Sequence, residues 1–265
     1  MYREDELKNG VLTNIAMVLL LGLSGCATNS LSNNDGALER YNRAMFSVNN
    51  KIDRYIVRPV AKGYRAVTNE YVRTRVSNFF NNINEPVSAI NHMLQGEFDN
   101  SGNNIGRFVI NTTLGGVGLY DVASKFGLEK NATGFDETLA TWCVPDGPFV
   151  VLPIIGPSTP RAAVGFAVDS HSTPTYWAAR ESDGKDAWTV YYGLTGVKYI
   201  NLMAQNLTLL ESLEEGSVDY YEAVKSTYMQ NRNKLKVCGN QIVDAQGDYD
   251  FDMDMDVDIA DDDYM

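Results

Sequence analysis

The sequence EYVRTRVSNFFNNINEPVSAINHMLQG occupies residues 70–96 and carries a long, regular hydrophobic pattern. Its apolar residues recur at steps of three and four: Val72, Val76, Phe79, Ile83, Val87, Ile90 and Leu94. This spacing makes one apolar face on an α-helix. The pattern keeps its phase through Pro86, so we predict one helix, kinked there because proline removes a backbone hydrogen bond. Gly96 is the predicted end of this helix.

The same helical spacing recurs on both sides of this stretch. Before it, an apolar stripe over residues 38–55 predicts a helix that ends near Arg58, because Pro59 cannot continue it. Five prolines and two glycines flank an apolar run within residues 144–160, which predicts an extended segment. Further helices are predicted at 104–114, 119–126, 134–142, 159–168 and 217–237. The sequence therefore predicts an all-α domain with one Pro/Gly-rich extended segment.

Residues 187–210 form an unusual helical stretch, because Lys198 is the only charged residue in it. Its apolar side chains point to nearly every face, which is typical of a helix buried in a protein core or in lipid. The stretch is long enough to span a bilayer at about 1.5 Å per residue. Its Thr, Asn and Gln residues make spanning costly, so burial in a protein core is the favoured interpretation.

The chain ends contain two segments that are not part of the helical domain. A short apolar run closes with Leu-Ser-Gly-Cys at residues 23–26, which is typical of a secretory signal rather than a membrane span. We therefore expect a signal peptide over residues 1–25. A small, polar tether at 26–36, a helical domain at 37–240 and an acidic disordered tail at 241–265 are expected to follow.

Most of the formal net charge of −12 belongs to ten aspartates between Asp244 and Asp263. The rest of the chain is nearly neutral, so charge gives no support for binding nucleic acid. The tail alternates acidic and apolar residues and begins like a calcium loop. However, Met253 and Ile259 stand where such a loop needs Gly and Glu. A solvated tail is favoured over weak binding of a divalent cation or of a basic partner.

Motifs for a nucleophile, a metal ligand set or a phosphate loop are not found in the sequence. There are two histidines, and His92 falls beside an apolar stripe, which favours a structural side chain over a base. Glu85 precedes Pro86 and is either a buried acid with a raised pKa or, more simply, a partner for backbone groups freed at the proline. The sequence therefore predicts no enzymatic activity.

Several blocks of residues, in this order along the chain, resemble the MlaA (VacJ) family of outer-membrane lipoproteins. They are residues 41–46, 53–61, 76–82, 85–86, 94–96, 107–115, 147–153 and 156–159, with Arg161. The motif at 23–26 resembles the lipobox of bacterial lipoproteins, which implies a covalent N-acyl diacylglyceryl group on Cys26 and no other cofactor. Two or more acyl chains give a stable membrane anchor. Ala27, rather than Asp, favours the outer membrane in these families.

The resemblance also implies a fold and a function. The fold would be a ring of amphipathic helices in the inner leaflet of the outer membrane, around an amphipathic channel and bound to trimeric porins. The function would be to remove mislocalised phospholipid from the outer leaflet and to pass it to a periplasmic carrier, MlaC. An alternative is a scaffold lipoprotein that binds porin without a lipid channel of its own.

Two groups of residues are candidates for controlling such a channel. Gly115, Gly116 and Gly118 suit a hinge or tight turn, because glycine is poor in a helix interior. They resemble the family's flexible element near the channel and are the candidate gate. The candidate for holding the channel closed is a set of residues on the first helix: Asn42, Arg43, Phe46, Asn49 and Asn50.

The cysteines and the tail separate this chain from the family pattern. With Cys26 assigned to lipid, Cys143 and Cys238 either pair in an oxidising compartment or stay as two buried thiols. Cys143 stands where relatives often have Gly or another small residue, which leaves the turn at 143–148 undefined. The acidic tail is not part of the common pattern.

Overall fold

The computed structural model describes residues 35–182 and 186–233. The predicted signal peptide, the lipidated Cys26, nearly all of the tether, Cys238 and the acidic tail lie outside these residues. The predictions for those segments therefore stay predictions.

The described chain is mainly helical, which confirms the predicted fold class. A π-helical turn (Asp53–Val57) separates the first two helices, and a short 3₁₀ turn covers Ala123–Phe126. The helices are α1 (Asp35–Ile52), α2 (Arg58–Val67), α3 (Glu70–Leu94), α4 (Phe98–Thr113), α5 (Phe135–Thr141), α6 (Pro160–Ser172), α7 (Pro174–Glu181), α8 (Ala187–Gly216) and α9 (Tyr220–Asn233).

The predicted extended segment is confirmed as a small antiparallel hairpin. Its strands are β1 (Val150–Leu152) and β2 (Gly156–Ser158), and Val151 pairs with Pro157 at their centre. The hairpin lies on α1, and β2 also contacts α9.

Helix α3 is the element around which the others are arranged, since it packs against α4 along much of its length and also contacts α5, α7 and α8. Asn69 caps its start by accepting a hydrogen bond from the Val72 amide. The helix continues through Pro86, as predicted. It ends where Gly96 adopts a φ of +78°, and the amides of Gly96 and Glu97 bond to the carbonyl groups of Met93 and His92. This is the glycine stop that the sequence predicts.

The buried face of α3 is mostly polar, although Phe80, Val87 and Ala89 are also buried. Asn78, Asn82, Glu85 and Asn91 are buried there, whereas Ile90 of the apolar stripe is 57% exposed. The same inversion holds across the described chain, in which large apolar side chains are exposed on most helices and many buried side chains are polar or charged. Amides and ion pairs make up much of the interior, beside a small apolar cluster of Phe149, Val151 and Tyr221, and apolar residues cover much of the outside.

Two predicted helix boundaries and one predicted helix are wrong. The first helix does not end near Arg58, because the chain continues through the π-helical turn into α2. Pro59 lies in the first turn of α2, where its missing N–H group is not needed, and the Arg58 amide reaches the Asp53 carbonyl group across the wider turn. Helix α4 starts six residues before 104, and the region 119–126 keeps only the 3₁₀ turn.

The prediction that residues 187–210 are buried in a protein core is wrong. Helix α8 lies at the surface, with Val190, Tyr192 and Leu209 each more than half exposed. Its buried residues are Asn201, Ala204 and Leu207. Among the described residues, none of the helices combines the length and apolarity needed to cross a membrane. Much of the apolar surface of α8 is therefore not packed in a protein core.

Candidate functional site

A cavity of about 460 Å³ lies between α3, α6, the start of α7 and α8. Most of its wall is apolar and comes from side chains on α3, α6 and α8. They are Phe80, Ile83, Val87, Phe166, Leu194 and Leu202. A cavity of this volume is in the range that holds a small organic ligand or part of a larger one. Its walls would accept hydrocarbon.

Hydroxyl groups line the rest of this cavity, which makes it amphipathic. They belong to Ser88, Thr133, Ser170, Thr173, Thr175, Tyr191, Thr195 and Tyr199. These residues come from α3, α6, α7 and α8, from the junction of α6 and α7 and from the segment before α5. The cavity therefore offers both hydrocarbon contact and hydrogen-bond partners to a ligand.

Two charged residues also line the cavity, and their surroundings differ. Asp169 on α6 accepts hydrogen bonds from the Phe135 amide at 3.1 and 3.0 Å and from the Asn91 side chain at 3.4 Å. Burial raises the pKa of the Asp169 carboxyl, and these hydrogen bonds oppose that rise only in part. This carboxylate holds the start of α5 against α3 and α6.

Lys198 on α8 is the second charged residue of the cavity. Solvent reaches its side chain through the cavity, yet protein atoms surround it closely enough that burial lowers the pKa of its ammonium group. Within residues 35–182 and 186–233, no carboxylate forms an ion pair with it.

A second, more polar cavity of about 370 Å³ lies beside the first. The two share Asn84, Ser88 and Thr133 as lining residues. Ser88 and Thr133 are joined by two hydrogen bonds: the hydroxyl of Ser88 donates to the Thr133 carbonyl group at 3.0 Å and accepts from the Thr133 amide at 3.3 Å. This pair forms part of the wall between the amphipathic cavity and the polar one.

The polar interior behind these cavities is built around Arg107 on α4. Its guanidinium group bonds to Glu85 at 2.8 Å, to Asp121 at 3.1 Å and to the Leu128 carbonyl group at 2.6 Å. Glu85 also accepts from Asn104 at 2.6 Å. Glu85 thus pairs with side chains of α4 and not with backbone groups freed at Pro86, so that prediction is wrong.

His92 has the structural position that the sequence favours. Its two ring nitrogens lie 2.9 Å from a Glu97 oxygen and 3.1 Å from the Asn131 carbonyl oxygen. The side chain is buried and lines neither of the two cavities. It fastens the end of α3 to the segment that leads into α5.

The candidate gate at Gly115, Gly116 and Gly118 is a compact turn next to α3. The Gly118 amide bonds to the Asn111 carbonyl group, and the Tyr120 amide bonds to that of Gly115. A Cβ atom on Gly118 would lie 2.6 Å from the Asn82 side chain. Gly116 has a φ of +60° but open space around it. The three glycines lie together, but none of them lines the two cavities described above.

The candidate closing residues lie on α1, against the hairpin and α9. Asn42 and Asn49 each bond to hairpin backbone, and the ring of Phe46 lies 5.3 and 5.4 Å from those of Tyr220 and Tyr221. Arg43 forms ion pairs with Glu39, Asp219 and Glu222, while the side-chain oxygen of Asn50 is buried without a hydrogen-bond partner in the described chain. None of the five lines the amphipathic cavity.

The backbone conformation at Cys143 explains why Gly or another small residue is expected at this position. Cys143 has a φ of +65°, and the amides of Cys143 and Val144 bond to the carbonyl groups of Ala140 and Leu139. This is the glycine-type end of a helix, here at α5. The sulfur of Cys143 is in a disulfide bond, which excludes the interpretation of two separate thiols.

Sequence reasoning missed the residues that form the cavity. Lys198 is visible in the sequence as a single charge in a long apolar stretch, and that signal could have identified it. Ser88, Thr133 and Asp169 carry no comparable signal, because they come from three separate segments that only the fold brings together.

Buried polar networks, exposed apolar side chains and an amphipathic cavity between helices are together typical of a membrane-associated protein. The sequence model of the family described as MlaA lipoprotein matches residues 34–235. The chain therefore belongs to the MlaA lipoprotein family.

Individual relatives agree with this assignment. A protein of Haemophilus influenzae named "Intermembrane phospholipid transport system lipoprotein MlaA" is 34% identical over 238 residues, which cover 87% of this chain and 92% of that protein. An uncharacterized protein of Rickettsia typhi is 34% identical over 196 residues, covering 73% and 75% of the two chains. A solved structure reported as the structural basis for maintenance of bacterial outer membrane lipid asymmetry matches with a TM-score of 0.59 and 31% identity, over 73% of this chain and 95% of that one.

Proposed function

We propose that this protein is an outer-membrane lipoprotein that removes mislocalised phospholipid from the outer leaflet and passes it to the periplasmic carrier MlaC. The observation that carries this proposal is the amphipathic cavity of about 460 Å³ between α3, α6 and α8. A phospholipid has a polar headgroup and hydrocarbon chains, and the cavity offers partners to both. The relatives named as parts of an intermembrane phospholipid transport system support the same function.

The apolar exterior supports a position within one leaflet. Large apolar side chains are exposed on α2, α3, α4, α6 and α8, among them Val67, Ile90, Phe98, Phe166 and Leu209. An exposed apolar surface of this extent marks contact with a membrane or a partner. Hydrocarbon offers no hydrogen-bond partners to backbone N–H and C=O groups. A helical protein pairs these groups internally, so it is suited to such a position. In the proposal these helices form a ring in the inner leaflet, held there also by the lipid on Cys26.

The assembly around the protein is part of the same proposal. A trimeric porin would hold the ring in place, and MlaC would receive the lipid at the periplasmic face. The family is one of lipid transport lipoproteins and is not a known enzyme family, and we infer that the chain has no enzymatic activity of its own. A scaffold that only binds porin is the alternative. It needs no amphipathic cavity, which is why transport is favoured.

The test measures phospholipid in the outer leaflet of cells that lack the protein, by labelling of surface headgroups. We expect phospholipid to accumulate there and the wild-type gene to reverse it. Cys26→Ala should not reverse it, because the anchor is lost. Thr195→Trp, which fills the cavity from α8, should not reverse it either. Val197→Trp places the same side chain on an exposed position of α8 outside the cavity and is the matched control.

Two results would argue against this function. A normal outer leaflet in cells without the protein would contradict lipid removal. Full reversal by Thr195→Trp at a normal protein level would show that the cavity is dispensable, and would favour the scaffold.

A further inference from the structure

Arg75 on α3 lies between two tyrosine rings, one from its own helix and one from the end of the glycine turn. The central carbon of its guanidinium group is 4.3 Å from the ring centroid of Tyr71 and 4.3 Å from that of Tyr120. The hydroxyls of the two tyrosines lie 3.0 Å apart, so the rings are also joined directly. A cation over an aromatic ring is attracted to its face, and here one cation joins two rings. These three residues form the Arg75 clamp.

The two tyrosines take the place of a carboxylate partner for Arg75. The ion pairs within residues 35–182 and 186–233 do not include Arg75, and its Nε atom is buried there without a hydrogen-bond partner. The pKa of the Tyr71 hydroxyl is lowered, first by its hydrogen bond with Tyr120 and then by Arg75, whereas the same hydrogen bond raises the pKa of Tyr120. These opposite directions are those expected when Tyr120 donates and Tyr71 accepts. The three groups therefore act as one unit.

The Arg75 clamp lies where the glycine turn meets α3. Tyr120 ends that turn, and its amide bonds to the Gly115 carbonyl group at 2.9 Å. Close by, the side chain of Asn78 on α3 donates to the Leu119 carbonyl group at 3.3 Å, which is beyond the usual length of an N–H···O hydrogen bond. The clamp is therefore the stronger of these two side-chain contacts from α3 to the end of the turn.

The Arg75 clamp is also a contact that can open. The rings of Tyr71 and Tyr120 are both exposed, so their separation uncovers no apolar core. A cation–π contact at an exposed site is weak compared with a buried ion pair such as that of Arg107 and Glu85. The clamp can therefore hold the turn without fixing it permanently.

We propose that the Arg75 clamp holds the glycine turn against α3 and so keeps the candidate gate closed, with Arg75 as the positioning residue. This inference rests on the proposed function and names the contact that regulates its gate. When the gate opens, the ring of Tyr120 moves away from the guanidinium group, while Tyr71 stays with Arg75 on α3.

The experiment follows the mobility of a nitroxide spin label on Val117→Cys, an exposed position in the glycine turn. It uses the purified, lipidated full chain in nonionic detergent, and the electron paramagnetic resonance spectrum of the same protein without Val117→Cys is subtracted. Arg75→Met should raise the ratio of mobile to immobile label about fivefold or more, because it removes two cation–π contacts at once. Tyr120→Leu should also raise it. Tyr120→Phe keeps the ring and should stay close to wild type.

Arg180→Met is the matched control. The guanidinium group of Arg180 lies over the ring of Trp177 on α7, at 5.1 Å, so this variant removes the same charge and the same kind of contact away from the glycine turn. It should leave the label on the turn unchanged. A label on Val190→Cys, which is exposed on α8, should not respond to Arg75→Met, and this separates local release from general loosening.

A combined variant tests whether Arg75 acts through Tyr120. In the Tyr120→Leu protein, Arg75→Met should add little further mobility, because the contact between α3 and the turn is already lost. Fully additive effects would contradict a shared contact. In cells, Arg75→Met at a normal protein level should change the amount of phospholipid in the outer leaflet.

Several results would overturn the inference. An immobile label on the turn in Arg75→Met would do so, and so would an equal response of the labels on the turn and on α8. A mobile turn with a normal outer leaflet would show that the clamp does not keep a gate closed. If Arg75→Met changes neither the turn nor the leaflet while cells without the protein still accumulate outer-leaflet phospholipid, this inference fails and the proposed function stands.

Discussion

Single residues in this protein have unusually large structural roles because the interior is polar. Arg107 is 1% exposed, and its donors reach Glu85, Asp121, the Ser124 hydroxyl and the Leu128 carbonyl group. A buried ion pair stabilises a fold only when its remaining hydrogen-bond groups are also satisfied. The contacts of Arg107 meet that condition and join α3 and α4 to the segment after α4.

Removal of this guanidinium group should therefore be severe. Arg107→Met leaves Glu85 without its cation and Asp121 with only the exposed Lys130 at 3.5 Å, and the expected loss in the free energy of unfolding is about 3 to 5 kcal/mol. Denaturant unfolding in detergent measures it. Arg43→Met is the control, because the ion pairs of Arg43 are exposed and should contribute little. Similar losses for the two variants would contradict the structural role of the Arg107 network.

Asp121 makes stability depend on pH. Burial raises the pKa of this carboxyl, but hydrogen bonds from Ser124, Asn111 and Arg107 outweigh burial and lower the pKa to about 2. A carboxyl with a lowered pKa stabilises the fold above its unfolded pKa of about 3.9, and that stability is lost as the pH falls towards 2. The contribution at pH 7 is about 2 kcal/mol.

The expected result is that Asp121→Asn lowers stability by about 2 kcal/mol at pH 7 and that the difference from wild type disappears by about pH 2. Unfolding measured across this range provides the check. Parallel profiles for the two proteins would contradict a lowered pKa for Asp121.

At the scale of elements, the turn after α4 depends on close approach of its backbone to α3. A side chain on Gly115 would collide with the carbonyl oxygens of Tyr120 and Asn111, and one on Gly118 with Asn82. Gly115→Ala and Gly118→Ala should therefore destabilise the protein strongly. Gly116→Ala has space and should cost only about 1 kcal/mol, for its positive φ. Thermal unfolding of the three variants distinguishes these cases.

This difference decides how the gate proposal can be tested. Valine at Gly115 or Gly118 would disturb packing as well as flexibility, so a lost function would be ambiguous. Gly116→Ala stiffens the turn with the least change in contacts. An altered outer leaflet with a normal amount of this variant supports the gate, and an unaltered leaflet with a stiffened turn argues against it.

The hairpin is a second element whose position depends on a few side chains. Asn42 donates to the Phe149 carbonyl group at 3.0 Å and accepts from the Val151 amide at 2.9 Å, and Asn49 does the same for Leu152 and Ile154. The two asparagines are seven residues apart, which places them on one face of α1. The side-chain amides of these two asparagines therefore make hydrogen bonds to the hairpin backbone, as a neighbouring strand would.

Asn42→Ala should cost about 2 kcal/mol or more, because it leaves two buried backbone groups without partners. Hydrogen exchange should become faster at the Val151 amide. Ser47→Ala, at an exposed position of the same helix, is the control. If exchange at Val151 is unchanged while the outer leaflet is altered, Asn42 acts on the channel, as the closing proposal requires, and not through the hairpin.

At the scale of the whole molecule, the exposed apolar surface predicts membrane binding without the lipid anchor. The mature chain with Cys26→Ala should float with phospholipid vesicles, and 1 M salt should not release it, because the body is nearly neutral and its contacts are apolar. Adding Leu209→Lys, at a position 63% exposed on α8, should weaken binding by roughly tenfold or more. Release by salt, or no flotation, would contradict an apolar membrane face.

The sequence by itself determined most of the helical segments, though not α2 or α7, and it determined where α3 ends and that residues 144–160 are extended. These features depend on local spacing, on glycine and on proline, which act within a few residues. The sequence also identified the family through blocks of matching residues. It misjudged the environment of α8, because the sequence of an all-round apolar helix does not show whether the helix lies in a protein core or on the protein surface.

Only the tertiary structure decided which faces are buried and which residues meet. Asn42 reaches Phe149, Arg107 reaches Glu85 and Asp121, and Lys198 joins Ser88 and Asp169 around one cavity. Contacts between distant segments depend on how helices pack, and no local pattern contains that information. The physical reason is that burial depends on the surroundings of the whole molecule: in the leaflet position that we propose, polar side chains would gain most by pairing inside the protein.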